Sequence, residues 1–184
     1  MREIEIKARV SSLDGVVAAL TSKGIEISEQ VTHHDRVFGL PGVAGASENS
    51  EPWLRIRTET KQGVATAYLT LKKSVTNQLD SIEHETVVDD EFETQKIIEQ
   101  LGFVPYSDLT KTRRKAHIGD IELCLDTVLP LGTFVEAEKL TGDDADYEAV
   151  VSELWEMLEP FGVSRTDEVA DGYDVLMNKH LGIE

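Results

Sequence analysis

The chain of 184 residues has little cysteine, few basic residues for its acids, and no long apolar run. Its single cysteine, Cys124, cannot form an internal disulfide, so a reducing, cytoplasmic setting is the default expectation. With 18 Lys and Arg against 35 Asp and Glu, the formal charge of -17 argues against a nucleic-acid-binding face, which needs clustered cations without a repulsive field. A small anionic ligand stays possible if the basic residues are gathered at one site. No apolar stretch approaches a membrane span, and Glu3, Glu5 and Lys7 stand where a secretory signal would need an apolar region. No membrane partner is expected. No Cys/His spacing supports structural zinc. There is no linker-like boundary, repeated unit or low-complexity tract, which favours one domain over residues 1–184, long enough for a substantial core.

What the chain does have is alternation. In MREIEIKARV, Glu3, Glu5, Lys7 and Arg9 share one side of a strand, and Ile4, Ile6, Ala8 and Val10 the other. Ser11 or Ser12 can cap a helix over Leu13 to Ser22, with Val16, Val17 and Leu20 inward and Gly24 as its stop. Residues 25–40 read as extended, and the Gly/Ala/Ser-rich stretch Pro41 to Pro52 as a loop. Trp53 to Glu59 and Val64 to Lys73 flank Lys61-Gln62-Gly63, a hairpin signal. A loop near Thr76 to Asp80 leads to a strand with Glu83 and Glu85 opposite Ile82. Thr94 is expected to cap a helix ending at Leu101 and Gly102, with Ile97, Ile98 and Leu101 inward.

Strands resume over Leu109 to His117, turn at Gly119-Asp120, and continue through Ile121 to Val128 and Thr133 to Leu140. Helical spacing returns over Asp146 to Pro160 and Asp171 to Leu181, where Trp155 and Tyr173 read as core anchors. Those two helices are expected outside the sheet. Some eight antiparallel strands, with helices between and after them, indicate an α+β fold on a closed or nearly closed β-barrel.

Charged pairs at i, i+2 recur on these strands: Glu3/Glu5, Glu83/Glu85 and Glu136/Glu138 are acidic, and Arg55/Arg57 and Lys111/Arg113 basic. Any one pair is explained by a sheet face turned to water. The set reads differently if the sheet curls and helices cover the apolar sides, because buried charges must then be paired or bind ligands. Lys and Arg hold phosphate oxygens, while carboxylates hold the Mg²⁺ or Mn²⁺ that bridges them. His33 and His34 are consecutive and face opposite ways on a strand, which argues against joint metal ligation. Cys124 lacks the neighbours of a nucleophile and reads as a small packed residue.

Glu3-Ile4-Glu5-Ile6-Lys7 resembles the E-x-E-x-K signature of the CYTH family, which unites class IV adenylyl cyclases and thiamine triphosphatases among the triphosphate tunnel metalloenzymes. Further matches follow in order: Leu54-Arg55-Ile56-Arg57, Leu71-Lys72, Glu83-x-Glu85, Lys111-x-Arg113, Leu125-Asp126, and Leu131 to Glu138. Gly172-Tyr173 through Leu176-Met177 is similar to the Ser-Tyr ending of the cyclase-like branch, with Gly for Ser. Asp35-Arg36-Val37 lacks the Tyr often found two residues after the Asp, and Lys73 stands where Gly often follows the strand lysine.

The resemblance implies an eight-stranded antiparallel tunnel with helices packed outside. It implies Glu3, Glu5, Glu136 and Glu138 as metal residues, with Asp126 near them. Lys7, Arg55, Arg57, Lys72, Lys111 and Arg113 would cradle a triphosphate, and Glu85 would complete the lining. Glu5, Lys7 and Lys72 would be catalytic. The implied function is a class IV adenylyl cyclase-like reaction on ATP. The alternatives are a phosphohydrolase of inorganic triphosphate, thiamine triphosphate or a nucleotide, and a non-catalytic polyphosphate-binding module. The partner is a triphosphate-containing small molecule, and a homodimer is compatible with this reading.

Overall fold

The structure, a computed structural model, describes residues 1–42 and 51–183. Most of the loop expected over Pro41 to Pro52, residues 43–50, lies outside the described residues. Among the described residues the fold is a closed eight-stranded antiparallel barrel in the order β1-β5-β4-β3-β2-β6-β7-β8, with four α-helices. The strands are β1 (Arg2–Val10), β2 (Val31–Gly39), β3 (Trp53–Lys61), β4 (Val64–Asn77), β5 (Asp80–Val88), β6 (Val104–Ile118), β7 (Ile121–Val128) and β8 (Gly132–Thr141). The helices are α1 (Asp14–Ser22), α2 (Glu91–Gln100), α3 (Tyr147–Leu158) and α4 (Tyr173–Leu181). The chain divides into two compact units, Met1–Gln30 with Thr112–Ala170 and Val31–Lys111 with Asp171–Glu184.

In the first unit, the apolar side of β1 does what its alternation requires. Ile4, Ile6 and Ala8 are buried with Leu123 and Leu125 of β7, Val135 and Ala137 of β8, and Val151, Leu154, Trp155 and Leu158 of α3. Asp146 starts α3 by accepting from Ala149 N at 3.2 Å, which satisfies one of the amides that a first turn leaves open. Ser12 Oγ likewise accepts from Asp14 N at 3.1 Å before α1, and Gly24, at φ +73°, lets the chain leave that helix. With its apolar residues committed to α3, β1 turns its charged residues to the other side of the sheet. Register with β8 sets Glu5 opposite Glu138 and Lys7 opposite Glu136. Register with β7 continues those rows to Glu122 and Cys124.

In the second unit, Phe38, Leu54 and Ile56 pack with Ile98 of α2, flanked by Leu69, Leu71 and Phe103. The helix starts earlier than the sequence indicated. Asp90 is its cap, accepting from Phe92 N and Glu93 N at 2.9 Å each, while the Thr94 hydroxyl donates to the Asp90 carbonyl within the first turn. Of the three residues expected inward, only Ile98 is buried; Ile97 and Leu101 are 60% and 68% exposed. The helix meets the sheet along a strip too narrow for the neighbouring positions. Opposite this core, the register of β2 to β5 builds charged rows: Asp35, Arg57 and Tyr68; Arg55, Thr70 and Glu85; Trp53, Lys72 and Glu83.

Candidate active site

The acidic group belongs to the first unit. Carboxylate oxygens of Glu5, Glu136 and Glu138 all lie within 4.8 Å of one another. Lys7 is fully buried, with Nζ 3.4 Å from Glu5 and 3.3 Å from Glu136. Burial works against its charge, yet the two glutamates more than compensate and raise its pKa. Arg113 donates to both Asp126 oxygens, from Nε at 2.8 Å and Nη2 at 2.6 Å. It also reaches Glu138 Oε1 at 3.2 Å and pairs with Glu136. Burial opposes that charge too, and Asp126 foremost among the surrounding groups holds it in place.

Glu138 shows what this crowding costs. Burial, only partly offset by Arg113, pushes its carboxyl up to about 8, and the charges of Glu3, Glu136 and Glu5 add to the rise. Glu5, Glu136, Glu138 and Asp126 gather around Lys7 and Arg113, and Glu3 adds its charge, so the group favours an added positive charge. A divalent cation could supply it. The donors of the Glu5, Glu136 and Glu138 group are all oxygens, which suits a hard ion such as Mg²⁺ or Mn²⁺. Glu3 acts on the group through its charge, and Asp126 is engaged by Arg113. Cys124 is buried with Sγ 3.4 Å from Glu138, and burial pushes its thiol up, away from the thiolate form that a nucleophile needs.

The cationic group belongs to the second unit. Arg57 grips Asp35 with two hydrogen bonds of 2.7 Å, from Nε and Nη2. Burial would raise the Asp35 carboxyl, but Arg57, then Arg55 and Lys111, hold it well below the usual range. Those three cations therefore act on one buried carboxylate. Arg55 Nη2 donates to Thr70 Oγ1 at 3.3 Å and lies 3.7 Å from Glu85, to which Thr70 donates at 2.8 Å. Lys72 pairs with Glu83, and its Nζ lies 5.6 Å from the Trp53 ring centroid. Lys111 Nζ sits 4.6 Å from the centroid of Tyr173, which is more than a core anchor. The guanidinium and ammonium groups gathered on this face are donors of the kind that phosphate oxygens accept from.

Strand alternation already sets Thr70 beside Lys72 on this face, whereas sequence reading missed Asp35 and Tyr173 as members of it. For Asp35 a signal existed, because His33, Asp35 and Val37 alternate on one side of β2, and His33 is buried against Glu59 at 3.1 Å. His34 turns the other way, to Asp108 at 2.8 Å.

The model of the CYTH domain family matches residues 1–173. The chain belongs to the CYTH family. A curated relative of this CYTH domain, named "Putative adenylate cyclase", comes from Methanocaldococcus jannaschii and is 26% identical over 175 residues, covering 94% of this chain and 97% of the relative. Among solved structures, a Pyrococcus horikoshii OT3 protein superposes with a TM-score of 0.81 at 23% identity, over 97% of this chain and 99% of its own. A Hippeastrum protein, named "Putative adenylyl cyclase" and described as showing a dominant triphosphatase activity, superposes at 0.61 with 18% identity, over 99% and 96% of the two chains. Both superpositions establish the fold of this CYTH domain. No described helix is long and apolar enough to cross a membrane.

Proposed function

We propose that this CYTH domain is a divalent-metal-dependent enzyme acting on a triphosphate, with ATP cyclisation to cyclic AMP and pyrophosphate as its first assigned reaction. The observation that carries the reading is the Glu5, Glu136 and Glu138 carboxylate group with Lys7 buried beside it. Glu5, Glu136 and Glu138 would hold Mg²⁺ or Mn²⁺, with Glu3 and Asp126 tuning their charge. When bound, that ion supplies Lewis-acid polarisation and lowers the pKa of the attacking hydroxyl.

The residues of the chain do the rest. Arg55, Arg57, Lys72 and Lys111 bind the phosphate oxygens, with Thr70 and Glu85 orienting Arg55. In cyclisation the ribose 3′-oxygen forms a bond to the α-phosphorus, the bond from that phosphorus to the bridging oxygen breaks, and pyrophosphate takes the electron pair. Lys7, Lys72 and Arg113 stabilise the charge that develops. The hydroxyl proton passes to solvent or to the leaving pyrophosphate.

A second reading replaces the ribose hydroxyl with water and cleaves the terminal phosphorus of inorganic triphosphate, thiamine triphosphate or a nucleotide. The triphosphatase activity described for the Hippeastrum protein of the same fold favours keeping it. A product assay with ATP, inorganic triphosphate and thiamine triphosphate, each with Mg²⁺ or Mn²⁺, separates the two. Cyclic AMP with pyrophosphate supports the first reading, and free phosphate the second. Binding without turnover on any substrate would leave a polyphosphate-binding module and sink both. A cytoplasmic setting is in keeping with the single cysteine, which has no partner for an internal disulfide.

A further inference from the structure

The first turn of a helix leaves amide groups without partners, and a side chain of the capping residue normally accepts from them. Asp90 does this for α2 and Asp146 for α3. Helix α4 starts on Gly172, which has no side chain to offer. The cap residue's own amide is served from 94 residues away: Gln78 Oε1 accepts from Gly172 N at 2.7 Å, and Gln78 Nε2 donates to Asp174 Oδ1 in the first turn at 2.9 Å. Gln78 and Asp174 are both buried.

Gln78 is itself held firmly. Asn77 pairs with Asp80, so Gln78 and Leu79 form a two-residue turn between β4 and β5. Asn77 Oδ1 accepts from Leu79 N at 2.8 Å, and Thr76 Oγ1 donates to Asp80 Oδ2 at 2.7 Å. Nor does the backbone demand glycine at 172. With φ -66° and ψ 161°, any residue fits the conformation. Space is what excludes a side chain: a Cβ there would stand 2.5 Å from Gln78 Nε2 and would overlap Asp174 Oδ1. Gly172 and Gln78 thus form one device in two parts.

The turn after this latch carries Tyr173, whose ring meets Lys111 Nζ at 4.6 Å. Further along α4, Asn178 Nδ2 donates to the Tyr106 carbonyl at 2.9 Å. The helix is tied at both ends, and Lys111 is held under its first residue. We propose that Gln78 is a positioning residue for Lys111: it fixes the start of α4 and so sets Tyr173 over the ammonium that binds the substrate's phosphates. This rests on the functional reading of Lys111 given above.

The test uses the full chain, inorganic triphosphate as the probe, titration calorimetry for Kd, and hydrogen exchange of the α4 amides. Gln78→Ala is expected to expose the first-turn amides of α4 to exchange and raise Kd about five- to tenfold. Gly172→Ser alone should do the same by pushing Gln78 aside. In a Lys111→Ala background, Gln78→Ala should leave Kd unchanged, because its effect runs through Lys111. Should Gln78→Ala fail to fold, Gln78→Glu, which keeps the acceptor for Gly172 N but loses the donor to Asp174, takes its place in the comparison with and without Lys111.

Equal losses of affinity with and without Lys111 would overturn the positioning role. Unchanged exchange in α4 would overturn the latch. A wild-type protein that does not bind triphosphate would overturn the functional reading, and with it the role assigned to Lys111, while the exchange measurement would still decide the latch.

Discussion

Replacing Asp35 by Asn removes the charge on which Arg57 closes while keeping the side chain's size. The Asp35 carboxylate accepts two charge-assisted hydrogen bonds of 2.7 Å at a site where it is almost wholly buried. Hydrogen bonds of that class are worth about 1.5–3 kcal/mol each. Breaking one side of a buried pair costs about 3–5 kcal/mol, because the other charge is left uncompensated. Asn keeps one good acceptor, so the expected cost at pH 7 is near the lower end, about 3 kcal/mol. With a urea m-value of roughly 2 kcal/mol/M, the unfolding midpoint should fall by about 1.5 M.

The pH dependence provides a second check. The Asp35 carboxyl is held below its usual range by Arg57, with help from Arg55 and Lys111, against the opposing effect of burial. A depressed carboxyl contributes stability that is complete above its unfolded pKa, about 3.9, and is lost as pH falls through the native value. The gap between wild type and Asp35→Asn should therefore be constant from pH 7 to about 5 and narrow below about 4. A variant within about 0.5 kcal/mol of wild type at pH 7, or a gap that widens on acidification, would refute the reasoning.

Further substitutions probe the two charged groups and the core. Glu5→Gln and Glu138→Gln should reduce turnover and Mg²⁺ affinity more than triphosphate affinity, which calorimetry with each ligand can compare; equal, negligible effects would point to a solvated sheet face. Arg55→Ala should chiefly raise KM, since its neighbours Thr70 and Glu85 retain each other when it is removed. Arg57→Ala should weaken triphosphate binding and also lower the unfolding midpoint, because it strands Asp35; binding loss without a stability loss would contradict the pairing seen here. Leu154→Ala, at a fully buried position of α3, should cost about 2–5 kcal/mol in urea unfolding while leaving Kd for triphosphate unchanged.

The barrel was legible because alternation is a local property. Glu3-Ile4-Glu5-Ile6-Lys7 declares its two sides wherever it pairs, and the i, i+2 pairs from Arg55 to Glu138 repeat the message. Pairing across strands is not local. Whether Arg57 meets Asp35 or a ligand depends on the β2 to β3 register, and the sequence offered only the buried alternation of His33, Asp35 and Val37 as a hint. The Gln78 and Gly172 contact spans 94 residues and follows no spacing rule. For α2 the error was one of phase: Thr94 is a plausible cap, but Asp90 offers a carboxylate to two amides and starts the helix sooner.

Because β1 presents Ile4, Ile6 and Ala8 to the core of α3 and Glu5 and Lys7 to the acidic group, its length is under a different kind of restraint from its composition. Many substitutions on either side can be absorbed singly. Inserting or deleting one residue within the strand exchanges the two sides at a stroke, sending glutamates among leucines and isoleucines among carboxylates. Natural variation in this segment should therefore consist of replacements and two-residue changes. A library that randomises β1 should recover folded, triphosphate-binding clones only at its present length parity.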